Sequence, residues 1–123
     1  MKLTNLDIVN LERKYRLNLI NSITGIKPAN LVGTRSNDGH DNLAIISSVV
    51  HLGSNPAQLG LIMRPQVKAP KDTFLNIKET GYYSINHVSA SFIKKAHYTS
   101  AKLARHESEF ERMKLEKEFI QFP

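Results

Sequence analysis

Not one cysteine occurs among the 123 residues of this chain. That excludes disulfides, thiolate metal sites and cysteine nucleophiles, and is compatible with an intracellular setting. Nowhere does an apolar run approach the roughly 20 residues needed to cross a bilayer. Lys2, Asp7, Glu12, Arg13 and Lys14 interrupt the stretch that would have to form the apolar core of a signal peptide. The chain also lacks the common site signatures. It has no GxGxxG dinucleotide turn and no GxxxxGK[ST] phosphate loop, no GxSxG nucleophile elbow and no HExxH zinc helix. The five histidines, at positions 40, 51, 87, 97 and 106, do not have the close spacing of metal ligands, so no metal is expected. Acidic residues fall mainly in expected helices and turns, which gives a two-carboxylate hydrolase no support.

What is present is ordinary for a soluble globular protein, with 41% hydrophobic and 23% charged residues, and the length suits one modest core and a single domain. Seventeen Lys and Arg against eleven Asp and Glu give a net charge of +6. A basic balance invites a nucleic-acid reading. The basic residues are scattered, though, and between positions 107 and 118 they alternate with acids. Aromatics do not interleave with them as a stacking platform would require. A nucleic-acid-binding module is therefore the weaker alternative, and a positive surface serving an anionic cofactor or substrate the better one.

Patterning places a helix over residues 4–23. Thr4 and Asp7 suit its capping, and Leu6, Val9, Leu11, Tyr15, Leu17 and Ile20 fall on the side expected to pack against a sheet. Gly25 and Pro28 end it. A strand over 29–36 leads into Asn37-Asp38-Gly39-His40, a hairpin turn. The return strand is expected over 42–51, Asn55-Pro56 reverses the chain, and 58–63 makes a third antiparallel strand. A short helix over 74–79, with Asp72 or Thr73 at its start and Gly81 at its end, precedes a strand over 82–87. Ser89 begins a helix reaching about residue 98. The charged tail from 102 has Phe110, Met113, Leu115 and Phe119 as possible anchors.

Within this frame the best site candidate is the strand Asp41-Asn42-Leu43-Ala44-Ile45-Ile46-Ser47-Ser48. Small side chains let a flat ligand approach the backbone, and hydroxyls and amides can hold a polar edge. The helix near Asp72-Thr73 offers unpaired N–H groups suited to phosphate, with Arg64, Lys68 and Lys71 before it. A cap role for Thr73 and plain strand roles for Ser47 and Ser48 fit the same residues.

The order of these motifs resembles the flavin reductase-like family of FMN-binding split-barrel proteins, which includes the flavoredoxins. The likeness runs through Gly33-Thr34-Arg35-Ser36-Asn37-Asp38-Gly39, then Asn42 to Ser48, Asn55-Pro56 and Met63-Arg64-Pro65. It continues in Asp72-Thr73-Phe74-Leu75-Asn76-Ile77 with Gly81-Tyr82-Tyr83-Ser84-Ile85-Asn86, and in Lys95-Ala96-His97-Tyr98-Thr99-Ser100-Ala101. The resemblance implies a mainly β fold with helices, an antiparallel Greek-key split barrel of class α+β. It implies FMN as cofactor, with FAD an alternative, NAD(P)H as hydride donor, a homodimer and a cytoplasmic home. Carried onto this chain, Asn42, Ala44, Ile45, Ser47 and Ser48 border the flavin, Arg64 and Thr73 face its phosphate, and Asn76 stands near that helix start. His97 and Ser100 match the later segment. No catalytic side chain is implied.

Two departures stand out. Lys71-Asp72 replaces the basic pair that usually precedes the helix threonine, so an acid is added beside the phosphate position. The four expected strands are also too few to close a barrel. The chain reads as the N-terminal portion of the family domain, with an open edge and an uncovered core face.

Overall fold

The computed structural model describes residues 2–66 and 69–121, so Lys68 lies outside the described residues. The chain opens with α1 (Asn5–Asn10) and α2 (Arg13–Ile23) in place of the single expected helix. The start is as expected, since the Thr4 hydroxyl accepts from the Asp7 N–H while the Asp7 carboxylate accepts from the Thr4 N–H. The break comes from Glu12, whose carboxylate accepts from the N–H groups of Lys14 and Tyr15 and so begins a second helix. The apolar side of this arm does not pack on a sheet. Neither helix has a buried residue, and Leu6, Val9, Tyr15, Leu17, Ile20 and Ile23 all face solvent.

Among the described residues five antiparallel strands follow: β1 (Asn30–Arg35), β2 (Asp41–Ile46), β3 (Val49–Ser54), β4 (Ala57–Leu61) and β5 (Ser84–His87). They form two separate sheets, one ordered β2-β1-β5 and the other pairing β3 with β4. The return strand expected over 42–51 thus divides at Ser47-Ser48. The cause is Ser48, whose carbonyl accepts from the Ile62 N–H at 3.1 Å and whose hydroxyl donates to the Ile62 carbonyl at 2.6 Å. This commits the chain to the second ladder before β3 begins. The β1–β2 turn has the expected residues, with Gly39 at φ 90°, while Asp38 keeps a negative φ. The β3–β4 reversal falls at Asn55-Pro56, joined by a cis peptide bond.

The helix α3 (Asp72–Thr80) ends on Gly81, whose left-handed φ of 77° lets its N–H reach the Ile77 carbonyl. Lys71 occupies the N-cap position and Asp72 the first helical one, and no side chain caps the first turn. The segment after β5 forms a 3₁₀ turn (Ala90–Phe92) and α4 (Ile93–Tyr98), with Ser89 making no side-chain cap bond. A last short helix, α5 (Glu109–Arg112), anchors the tail.

Register decides which residues share a face. Val32 pairs with Ala44 and Ile85, and Thr34 with Asn42, so these side chains project toward α3. Leu31 and Gly33 pair with Ile45, Leu43, Asn86 and Ser84 on the opposite face. There Leu31, Leu43 and Ala96 of α4 form a small buried cluster, with Ile45, Val88, Phe92, Phe110 and Leu115 packed around it.

Candidate functional site

On the α3 face, four polar side chains from three elements meet at Thr34. The Asn42 amide donates to the Thr34 hydroxyl at 3.2 Å and to the Thr73 hydroxyl at 2.9 Å. The Asn76 amide donates to the same Thr34 oxygen at 3.1 Å. Thr34, Thr73 and Asn76 are buried, so these bonds satisfy polar groups largely withdrawn from water. The cluster pins the first turn of α3 to the hairpin end of β1 and β2. With the amides so oriented, the hydroxyl hydrogens of Thr34 and Thr73 have no protein acceptor among the described residues.

The surroundings carry both signs. Lys71 precedes the helix and its N–H bonds the Gln66 side chain at 2.7 Å, while Arg64 is exposed on the incoming segment. Asp72 lies in the first turn of α3. A crevice of about 10 Å³ beside the cluster touches Asn42, Asn76, Asp72, Arg105 and Glu107. It has room for about one water molecule. At the adjoining turn, the Ser36 hydroxyl donates to the Asp38 carboxylate and holds its pKa below the ordinary aspartate value.

Of the ten residues expected at the site, Asn42, Thr73 and Asn76 come together. Ala44 shares their face, two residues further along β2. Ile45 points to the other side and packs against the Leu31–Leu43–Ala96 cluster. Ser47 is exposed at the break between the sheets, and the Ser48 hydroxyl is spent on Ile62. His97 and Ser100 are not brought to this face. Their helix packs through Ala96 against Leu31 and Leu43, across the sheet, and the Ser100 hydroxyl donates to the His97 carbonyl at 2.7 Å. Among the described residues no three His, Asp or Glu side chains converge as metal ligands.

Two contributors were not singled out from sequence. Thr34 is the shared acceptor of the cluster. A turn centred on Asp38-Gly39 sets Thr34 opposite Asn42, so the hairpin register contained that signal. Glu109, buried in α5, accepts from the Leu43 N–H at 3.0 Å. No local pattern marks a partner 66 positions away.

A conserved-domain match to the flavin reductase like domain covers residues 26–123, and the chain belongs to that family. A split-barrel flavin-reductase candidate from Shewanella frigidimarina NCIMB 400 superposes with a TM-score of 0.89 at 46% identity. The match takes in 98% of this chain and 59% of that one. Nitrilotriacetate monooxygenase component B from Bacillus cereus shares the fold at a TM-score of 0.80 and 23% identity, again over 98% and 59% of the two chains. The flavoredoxin of Desulfovibrio vulgaris (Miyazaki F) gives 0.63 at 25% identity over 72% and 46%. Among curated proteins none matches. The chain is thus of mixed α and β class with antiparallel sheets of split-barrel type, and it spans about 59% of the length of the first two solved relatives. Among the described residues no helix is long and apolar enough to cross a membrane.

Proposed function

We propose that this chain is a single flavin reductase-like domain that binds FMN, or FAD, and presents it to NAD(P)H in the cytoplasm. The observation that carries the reading is the Asn42–Thr34–Asn76–Thr73 cluster, which ties a helix start without a side-chain cap to the small-residue strand. The donor set suits a phosphate. The first turn of α3 carries both unpaired N–H groups and the Thr73 hydroxyl, with Lys71 at the N-cap and Arg64 exposed on the incoming segment. The flavin ring is too large for the crevice beside the cluster. It would lie along the outer surface from Ala44 to Ser47, with a second subunit covering it in a homodimer.

A bound flavin supplies a ring that accepts hydride from a reduced nicotinamide. The residues of this chain orient that ring. Asn42 and Asn76 hold Thr34 and Thr73 in place, and the short side chains of Ala44 and Ser47 allow close approach to the strand. No side chain is required to move a proton. Asp72 favours a second reading, a flavin binder without turnover, because it adds an acid to the first turn of the helix at which an anionic phosphate would dock.

The test is titration of the purified protein with FMN, followed by NADH or NADPH. A shift of the flavin visible bands with sustained nicotinamide oxidation supports the reductase. A shift without oxidation supports the binder, and no shift refutes both. Thr73→Val should weaken FMN about tenfold, equivalent to about 1.4 kcal/mol, with an unchanged far-ultraviolet circular dichroism spectrum.

A further inference from the structure

We propose that Arg105, on the turn between α4 and α5, is an anion-binding residue at the start of α3, where it offsets Asp72 and receives the phosphate of the flavin. The inference deepens the flavin-binding reading and rests on it for the identity of the ligand.

A single anchor brings this remote segment to the site. Glu109 is buried and accepts from the Leu43 N–H at 3.0 Å. That bond ties the tail beside Asn42, the residue whose amide holds both Thr34 and Thr73. Just before the anchor the chain turns tightly. The Glu107 N–H donates to the Ala104 carbonyl at 2.8 Å, and the Ala104 N–H donates to the Glu107 carboxylate at 3.0 Å. These reciprocal bonds fix the backbone on both sides of Arg105. The result is that Arg105 lines the crevice of about 10 Å³ together with Asn42, Asp72 and Asn76.

Charge matching around the crevice leaves two groups over. Of its acids, Asp41 faces Lys117 at 2.9 Å and Arg35 at 3.6 Å, and the Glu107 carboxylate is held by Ala104. Among the described residues Asp72 has no ion pair or side-chain hydrogen bond, and neither has Arg105, which is exposed. The two opposite charges thus share a crevice with room for about one water molecule and make no direct ion pair across it. A third group is also incomplete. The Thr73 hydroxyl, 3% exposed, accepts from Asn42, but its hydrogen has no protein acceptor among the described residues.

An anion is the ligand that completes this set. Its oxygens can accept from the Thr73 hydroxyl, from the first-turn N–H groups of α3 and from the planar fork of a guanidinium. Arg105 also cancels the Asp72 charge, so that with Lys71 at the N-cap the start of α3 is left net positive.

The experiment has two arms. Inorganic phosphate is titrated into the purified chain while the Arg105 Nε–Hε NMR signal, identified by its loss in Arg105→Gln, is followed. A saturable shift is expected, and no shift overturns the proposal. In the second arm FMN and riboflavin, which lacks the phosphate, are titrated into the native chain and its variants. Arg105→Gln should weaken FMN about tenfold and leave riboflavin unchanged. Arg105→Lys should keep part of the affinity, since it retains the charge without the fork, and Asp72→Asn should tighten FMN about threefold. Unchanged FMN affinity in Arg105→Gln overturns the proposal. So does an equal loss for FMN and riboflavin, which marks a merely structural role. If the native chain binds neither flavin, the flavin-binding reading fails by itself. The phosphate shift then still upholds Arg105 as an anion-binding residue, and its absence overturns that too.

Discussion

The outer strands of the three-stranded sheet both present unpaired backbone, but only one of them is stoppered. On β2 the outward Leu43 N–H is taken by the buried carboxylate of Glu109, delivered by α5. Phe110 and Leu115 then pack on the core, and Lys117 reaches Asp41 at 2.9 Å. On β5 no side chain from any described element takes the outward backbone N–H of Ile85 or His87, although the strand lies against the same central β1. The difference teaches that edge protection here comes from tertiary structure and not from strand composition. Neither strand contains a protective Lys or Pro.

Removing the stopper gives the largest expected effect. Glu109→Leu leaves the Leu43 N–H buried without an acceptor and should cost about 1–3 kcal/mol, read as a lower urea midpoint and faster exchange of the Leu43 amide. Glu109→Gln keeps a neutral acceptor and should lose less than about 1 kcal/mol. If Leu and Gln behave alike, the two edges do not differ as described.

A smaller effect is expected on the β5 side. A Cβ added at Gly33 would sit 2.7 Å from the Ser84 hydroxyl, so Gly33→Ala should cost about 1 kcal/mol. Ser84→Ala in the same chain removes the clashing oxygen and should restore most of the stability, measured by the same unfolding curves. Absence of rescue would mean that the strain lies elsewhere than at the β1–β5 contact.

The smallest effect is a pH dependence confined to the β1–β2 side. The hydrogen bond from Ser36 holds the exposed Asp38 carboxyl below its ordinary pKa. Its contribution is fully present above the ordinary aspartate value and is lost as pH falls through the lowered folded value. Acid should therefore speed exchange of the Gly39 and His40 amides in the turn before it affects Ser84 or Asn86. Equal sensitivity on both sides would remove this distinction.

Much of this was legible in the sequence because it rests on local rules. Asp38-Gly39, Asn55-Pro56 and Gly81 mark their turns and helix end through backbone preference. The motif order from Gly33 to Asn86 pointed to the right family. Asn42, Thr73 and Asn76 were each singled out, and their meeting follows from the register that the turn sets. What escaped was non-local. Nothing near Ser48 announces that Ile62 will draw it into a second ladder. The apolar spacing of the N-terminal arm predicts a partner without saying that none of the described sheets lies beneath it. Glu109 looks like any acid in a charged tail until the fold brings it to Leu43. His97 and Ser100 follow the site in sequence, yet their helix crosses to the other face of the sheet.

The division at Ser47-Ser48 has a consequence for how the molecule opens. The β3–β4 ribbon packs substantially on no other described element, and Val50, Leu52 and Leu59 lie exposed on it. A two-stranded ribbon by itself is marginal in water. Its melting is therefore decoupled from that of the three-stranded sheet, held back only by its own ladder and by the Ser48–Ile62 pair at its base. Changes within the ribbon should alter how often it frays and leave the global denaturation midpoint where it was. Its amides should form a separate, fast-exchanging population beside the slower amides of Leu31 and Val32.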